Sequence, residues 1–496
     1  MTTHHSLYEI NTRVWLRRFD TPSRKATLED VPASYWEQLK AKGITHVWLM
    51  GIWKVCESTI AKYCLQEGAT KDSFRSALND YQDTDVIGSP YSIDRYDVNP
   101  RIGTERSLIH TRLTLNQLGM KLILDFVPNH FSADSSLIQT HPYIFLEASP
   151  DLLLRDPVTF YKPLSDRIFA HGKDPFFPAW EDTIQVNYFK PKARKFMIHT
   201  LKTLAKRCDG VRCDVAMLML NDSFEQTWRH VLGNCQKPAE EFWKQAVAAI
   251  KKEYPEFAFI GEVYWNKEWK LQQLGFDYTY DKRLTDRLKV GDAKDIREHL
   301  LADAAFQKKS VRFIENHDED RAITAFGKQR SKAAAVIIST LPGMRFYYDG
   351  QFEGKAVRLP VQLSREPFEP VNQEIFDFYD KLLNIKQNDI FRKGEWRLLE
   401  TLPAYDKDTT FPNILAWRWT YQSEKRVVAV NYADTISTCR LRLDMSGYEK
   451  EFGLTDMLNE QAYIRSVEEV SGIGLYIELK AYQSHIFAYY RPSQMN

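Results

Sequence analysis

Cysteine is scarce in this chain of 496 residues: Cys56, Cys64, Cys208, Cys213, Cys235 and Cys439 are all there are. They form no CxxC pair and no metal-ligand spacing, so reduced thiols in a reducing compartment are the simplest account. Glycine and proline are modest at 21 each, which excludes collagen-like and low-complexity chains. No charge sign dominates: 67 Lys and Arg against 66 Asp and Glu leave a formal net charge of +1, which gives a nucleic acid little to bind. No apolar run approaches the ~18 residues of a membrane span. The opening MTTHHSLYEINTRVW lacks a basic stretch followed by an apolar one, so it does not read as a secretion signal. The expectation is a cytoplasmic enzyme or binding protein with no membrane partner; oligomeric state is left open. The pair His4-His5 is too short a run to count as a metal site.

What the chain does have is a globular balance of 44% hydrophobic and 27% charged residues, enough length for a large core, and aromatics at 13%. Short apolar runs alternate with helix-period segments from residue 7 to about 390, the pattern of repeated βα units around a parallel sheet. Eight strands are expected: 7–16, 44–50, 121–127, 210–217, 257–264, 276–281, 310–318 and 344–350. Between them, 104–119 reads as a helix with Thr104 as N-cap and Gly119 as its stop. The segment 239–255 reads as another, with Phe242, Ala246, Ala249 and Ile250 on one face and Pro255 ending it. Eight such units fit an α/β fold closed into a (β/α)8 TIM barrel. Residues 131–189 break the alternation and are expected to form an inserted subdomain after strand 3. From 395 to 496 the period changes to two between turns, as in an antiparallel β sandwich. The expected division is therefore a catalytic barrel from 1–130 and 190–394, an inserted subdomain over 131–189, and a C-terminal β domain over 395–496.

Because side chains alternate along a strand, Arg212 and Asp214 share a face that should point inward. An Asp ending a buried strand is, taken singly, more often a cap than a catalyst. Recurrence changes that reading: LILDFVPNH, VRCDV, FIGEVYW and RFIENHD each place an acid near the end of a parallel strand, and in a barrel those ends converge on one mouth. Gathering several carboxylates there is costly unless a reaction uses them. Divalent-metal catalysis and glycosidic cleavage by one ionised and one protonated carboxyl both would. The Asn, His, Arg and aromatic neighbours suit the second better.

The segments DFVPNH at 125–130, GVRCDVAM at 210–217, GEVYW at 261–265 and ENHD at 315–318 resemble, in order, the four signature segments of the α-amylase superfamily, glycoside hydrolase family 13. The insertion, YEINTRVW and GSPYSIDRYDVNP resemble that family too. The resemblance implies a retaining glycosidase acting on α-1,4-linked glucans or malto-oligosaccharides. It implies Asp214 as nucleophile, Glu262 as acid and then base, and Asp318 as the third acid, binding sugar hydroxyls at the transition state. His130 and His317 would donate to hydroxyls of the sugar being cleaved, Tyr91 would be a stacking platform, and Arg212 would keep Asp214 ionised. Asp125 would orient its neighbours, while Tyr264 and Trp265 would line the leaving-group side or simply pack. A glucanotransferase, an isomerase or an α-glucosidase could use the same site, whereas a non-catalytic partner subunit would have lost the three acids. Two departures stand out. Met217-Leu218 replace a Lys-His pair that meets the leaving-group sugar. Gln185 stands where a carboxylate usually joins Asn129 around calcium, so no metal or other cofactor is expected.

Overall fold

The computed structural model describes residues 4–163 and 165–490. Eight parallel strands close into a barrel: β1 (Ser6–Asn11), β2 (His46–Met50), β3 (Lys121–Phe126), β4 (Gly210–Cys213), β5 (Ala258–Gly261), β6 (Tyr278–Tyr280), β7 (Ser310–Arg312) and β8 (Met344–Tyr348). Each pairs with its neighbours in sequence, and β8 closes on β1 through Ser6↔Arg345 to Glu9↔Tyr348. Alternate residues fill the lumen. Leu7, Trp48, Ile123, Ile260, Tyr280, Val311 and Phe346 form one buried cluster there, a packed interior in which a polar side chain must find partners. Gly210 opens β4 because nothing larger fits: a Cβ there would lie 2.7 Å from the Ala258 carbonyl oxygen and 2.8 Å from Ile123 Cδ1.

All eight expected strands are present, but several end sooner than their apolar runs. The run 7–16 becomes β1 followed by a helical turn at Thr12–Trp15. β4 stops at Cys213 and β7 at Arg312, because the chain must leave the sheet there to aim its polar residues into the mouth. Helix Glu105–Gln117 starts on Thr104, whose side chain accepts from the Ser107 N–H, and ends before Gly119 at φ +72°. Helix Phe242–Lys251 buries Val247 rather than Ala249 beside Phe242, Ala246 and Ile250.

A second excursion went unseen in the sequence. Between β2 and the helix preceding β3, strands Trp53–Val55 and Ile93–Val98 pair as a hairpin around helix Ala69–Ala77. Its elements are too short and its strands too bulged to show a period. After β3, His130–Ser132 pairs with Thr183–Gln185 across the insertion.

Beyond the barrel, a six-stranded antiparallel sheet and a three-stranded one share a core of Ile414, Ala416, Val427, Cys439, Leu441, Ile477 and Leu479. The opposite face of the larger sheet, with Leu415, Trp417, Trp419, Val428 and Val430, belongs to the core of the barrel's helices. Its central strands are therefore apolar on both faces. Among the described residues no helix is long and apolar enough to cross a membrane.

Candidate active site

Arg212 is fully buried and organises the mouth of the barrel. It is the second lumen residue of β4, and a lone guanidinium there would be prohibitively costly. Its Nη1 donates to Asp214 Oδ1 at 2.6 Å and its Nη2 lies 2.8 Å from Glu262 Oε2. The rings of Trp48, Tyr91 and Tyr280 surround it at 5.1, 5.3 and 5.7 Å, a cation–π cage that complements the ion pairs. One fork thus holds two carboxylates from adjacent strand ends.

Val215 follows Asp214 in the left-handed region at φ 36°, ψ 46°, where a β-branched residue is strained. The bend turns its N–H onto Glu262 Oε2 at 2.7 Å, and the Tyr264 hydroxyl donates to Glu262 Oε1 at 2.7 Å. Glu262 therefore has a donor on each oxygen. Burial raises the pKa of both Glu262 and Asp214, with Arg212 opposing the rise in each. Two such neighbours do not ionise independently, so the pair is suited to retaining one proton.

Asp318 differs. Its side chain is 47% exposed at the mouth, 3.0 Å from His317 Nε2. Burial of the loop pushes its pKa up, but the His317 charge and hydrogen bond outweigh that and hold it near about 2. His317 in turn sits between two acids: its Nδ1 is 2.5 Å from Glu9 Oε1 on β1. Burial lowers its pKa, yet Asp318 and Glu9 win and raise it well above the usual imidazole value. Tyr91 completes the group, its hydroxyl 2.9 Å from His317 Nε2 and its ring stacked on the imidazole at 5.4 Å.

All seven of the expected site residues lie around this mouth. His130 begins the first strand of the insertion, packs on Trp180 at 5.4 Å, and is kept neutral by burial, with a pKa of about 4. Asp125 has an orienting place: it accepts from Trp48 Nε1 at 3.1 Å and the Gly51 N–H at 2.9 Å, while burial takes its pKa to about 7. Glu315 is occupied in the core by Arg321 at 2.8 Å. Met217 and Leu218 are buried in a 3-10 turn, so they pack behind the site rather than present an apolar face to it. Trp265 instead meets exposed Phe176 of the insertion at 4.8 Å. Glu9 escaped the sequence reading; its only signal was being the one acid in the lumen phase of β1.

An amide fills the position beside Asn129 at which the resemblance implied a calcium ligand. Gln185 Nε2 donates to the Asn129 carbonyl at 2.9 Å, Asn129 Oδ1 at 3.0 Å and the Val186 carbonyl at 3.0 Å. Two of these acceptors are backbone oxygens, so the amide cannot be turned over without opposing oxygen to oxygen. A donor stands where a cation would need lone pairs, and the residues do not fit a metal. Among the described residues no group of three or more His, Cys, Asp or Glu could hold one.

With that geometry in place, comparison with known proteins is decisive on kinship. The model of the α-amylase catalytic domain matches residues 37–396. The chain belongs to the α-amylase family. Its curated α-amylase relatives are distant: Alpha-amylase 3 of Dictyoglomus thermophilum is 26% identical over 299 residues, 55% of either chain. Alpha-amylase MalA of Haloarcula japonica is 23% identical, over 71% of this chain and 49% of that one. The chain spans about half the length of these curated relatives. Among solved structures, the noncanonic maltogenic α-amylase AmyB of Thermotoga neapolitana superposes with TM-score 0.69 at 19% identity, over 98% of each chain. The cyclic α-maltosyl-(1→6)-maltose hydrolase of Arthrobacter globiformis does so at 0.64 and 15%, again over 98% of each. At these identities the likeness is one of fold.

Proposed function

We propose that this α-amylase-family chain is a retaining α-glycosidase that cleaves α-1,4-linked glucans or malto-oligosaccharides through a covalent β-glycosyl-enzyme intermediate. The observation that carries the reading is the shared guanidinium. Two carboxylates on one fork are close neighbours, in keeping with the ~5–5.5 Å spacing of retaining enzymes rather than the ~6.5–9.5 Å of inverting ones. Asp214, the closer partner of Arg212, attacks the anomeric carbon. Glu262 carries the proton that the pair retains and gives it to the departing oxygen; as a carboxylate it then takes one from the water that opens the ester. Asp318, ionised and exposed, binds hydroxyls of the distorted sugar, with His130 and His317 as donors and Tyr91 as platform.

No metal or other cofactor enters this scheme; around Asn129 the neutral Gln185 amide supplies hydrogen-bond donors to the oxygens. The preferred substrates are short and soluble, because no Lys-His pair follows the nucleophile to bind remote leaving-group units. A cytoplasmic setting belongs to the proposal, supported by six unpaired thiols. Incubation with maltoheptaose, followed by early-time proton NMR and chromatography, tests the reading. Release of the α-anomer first is expected; the β-anomer first, or no cleavage, overturns it. Products longer than the substrate would assign the same site to transfer.

A further inference from the structure

At the opposite, N-terminal end of the barrel lies a small cavity of about 80 Å³ whose charged lining is entirely cationic. Arg345 comes from β8 and Lys386 from the end of helix Gln373–Lys386; Arg392 comes from helix Asp389–Lys393 and Lys40 from helix Ala33–Ala41. His4, Ser6 and Thr45 complete the wall. Among the described residues no carboxylate lines it.

The two inner cations are almost wholly buried, Arg345 at 1% and Lys386 at 3% exposure. Arg345 spends one Nη2 proton on the Phe391 carbonyl at 2.7 Å, and its buried Nε has no partner. Among the described residues the Lys386 amine reaches only neutral groups, the Ser6 hydroxyl and the Gly43 carbonyl at 3.5 Å, besides the Tyr347 ring at 5.3 Å. Neither makes an ion pair among the described residues; Arg392 has only its helix neighbour Asp389, at 3.6 Å. Burying two cations side by side without a counter-charge is among the costliest arrangements a fold can adopt. Burial and the neighbouring guanidiniums drive the Lys386 pKa far down, and burial takes Arg345 to about 10. His4 cannot relieve them, since its Nδ1 already accepts the Gly343 N–H at 3.0 Å.

We infer that this cavity binds a small inorganic oxyanion of the phosphate or sulfate class, which supplies the missing counter-charge and ties helices Gln373–Lys386 and Asp389–Lys393 to the barrel floor. A water needs roughly 10–15 Å³ of such space, so one tetrahedral ion fits. The donors are two guanidiniums and two ammoniums, the groups that suit a tetrahedral oxyanion. The site faces away from the catalytic mouth, on the end of a barrel that governs stability. The anion therefore acts on stability rather than turnover.

Inorganic phosphate, sulfate and chloride, each titrated at constant ionic strength into anion-depleted protein, test this by thermal melting and calorimetry. The melting temperature should rise and saturate with phosphate or sulfate, as binding to the native state alone requires. Chloride at equal ionic strength should do much less. Lys386→Met should abolish the response while raising the melting temperature of the anion-free protein, since it removes a buried amine that no acid balances. Arg392→Gln, half-exposed and safe for folding, should weaken phosphate binding by tenfold or more. An equal rise with chloride, or a phosphate response unchanged in both variants, overturns the proposal, as does no response at all.

Discussion

Asp214 and Glu262 are each held by one arm of Arg212, so removing one leaves the other paired. Asp214→Asn should therefore fold and melt near the wild-type temperature while losing several orders of magnitude in kcat/KM, because the amide cannot form the ester. Turnover on maltoheptaose within tenfold of wild type would assign the nucleophile elsewhere. Glu9 offers a separate handle. His317 has its folded pKa raised by Asp318 and Glu9, so its pairing contributes stability that is fully present below the unfolded value of ~6.5 and fades as pH rises through the folded value. Glu9→Gln should cost about 1–3 kcal/mol at pH 6 and less at alkaline pH. Urea melts at pH 6 and pH 9 read the difference; a deficit that grew with pH would contradict the assigned charge. The acids, Arg212 and both histidines were legible because each falls in a short segment at an expected strand end, whereas Tyr91 came only with the resemblance of GSPYSIDRYDVNP. Glu9 was not legible, since nothing local marks a single acid in an apolar strand, and its partner lies 308 residues away.

At the scale of elements, the paired strands His130–Ser132 and Thr183–Gln185 are joined by the Gln185 carboxamide, which donates to the Asn129 carbonyl, and no metal is proposed there. Chelation with EDTA should leave the wild-type melting temperature unchanged. Gln185→Asp would replace the contacts its Nε2 donates to three oxygens with lone-pair repulsion, costing about 1–3 kcal/mol, and should create a calcium response that the native chain is expected to lack. If EDTA lowered the wild-type melting temperature by several degrees and calcium restored it, a metal would have to be held by other groups. The eight strands and the helix from Thr104 were readable from apolar runs and caps. The excursion between β2 and β3 was not: its short, bulged strands and a π-turn at Ile60–Cys64 carry no regular period.

Across the whole molecule, the barrel's helices and the C-terminal sheets share one continuous apolar cluster. Directional contacts cross the same boundary. Trp419 Nε1 donates to the Thr340 carbonyl at 2.7 Å, the Tyr432 hydroxyl to the Leu288 carbonyl at 2.9 Å, and Arg297 to the Ile414 carbonyl at 2.6 Å. Calorimetry should therefore show a single transition, and a chain ended at residue 394 should not fold stably alone, since it would uncover the helix faces on which Trp417 and Trp419 pack. Two separated transitions would show that the sheets melt independently.

The sequence by itself determined the barrel, the change to period two near 395, and the small set of strand-end residues from which a site had to be built, because these follow from local periodicity and the convergence of parallel strands. Only the tertiary structure decided which acids share Arg212, that Glu9 charges His317, that Gln185 faces three carbonyl oxygens, and that Arg345 and Lys386 meet with no acid between them. Those outcomes depend on distances between residues far apart in the chain. Charge pairing and desolvation act through space, and a one-dimensional pattern carries no record of either.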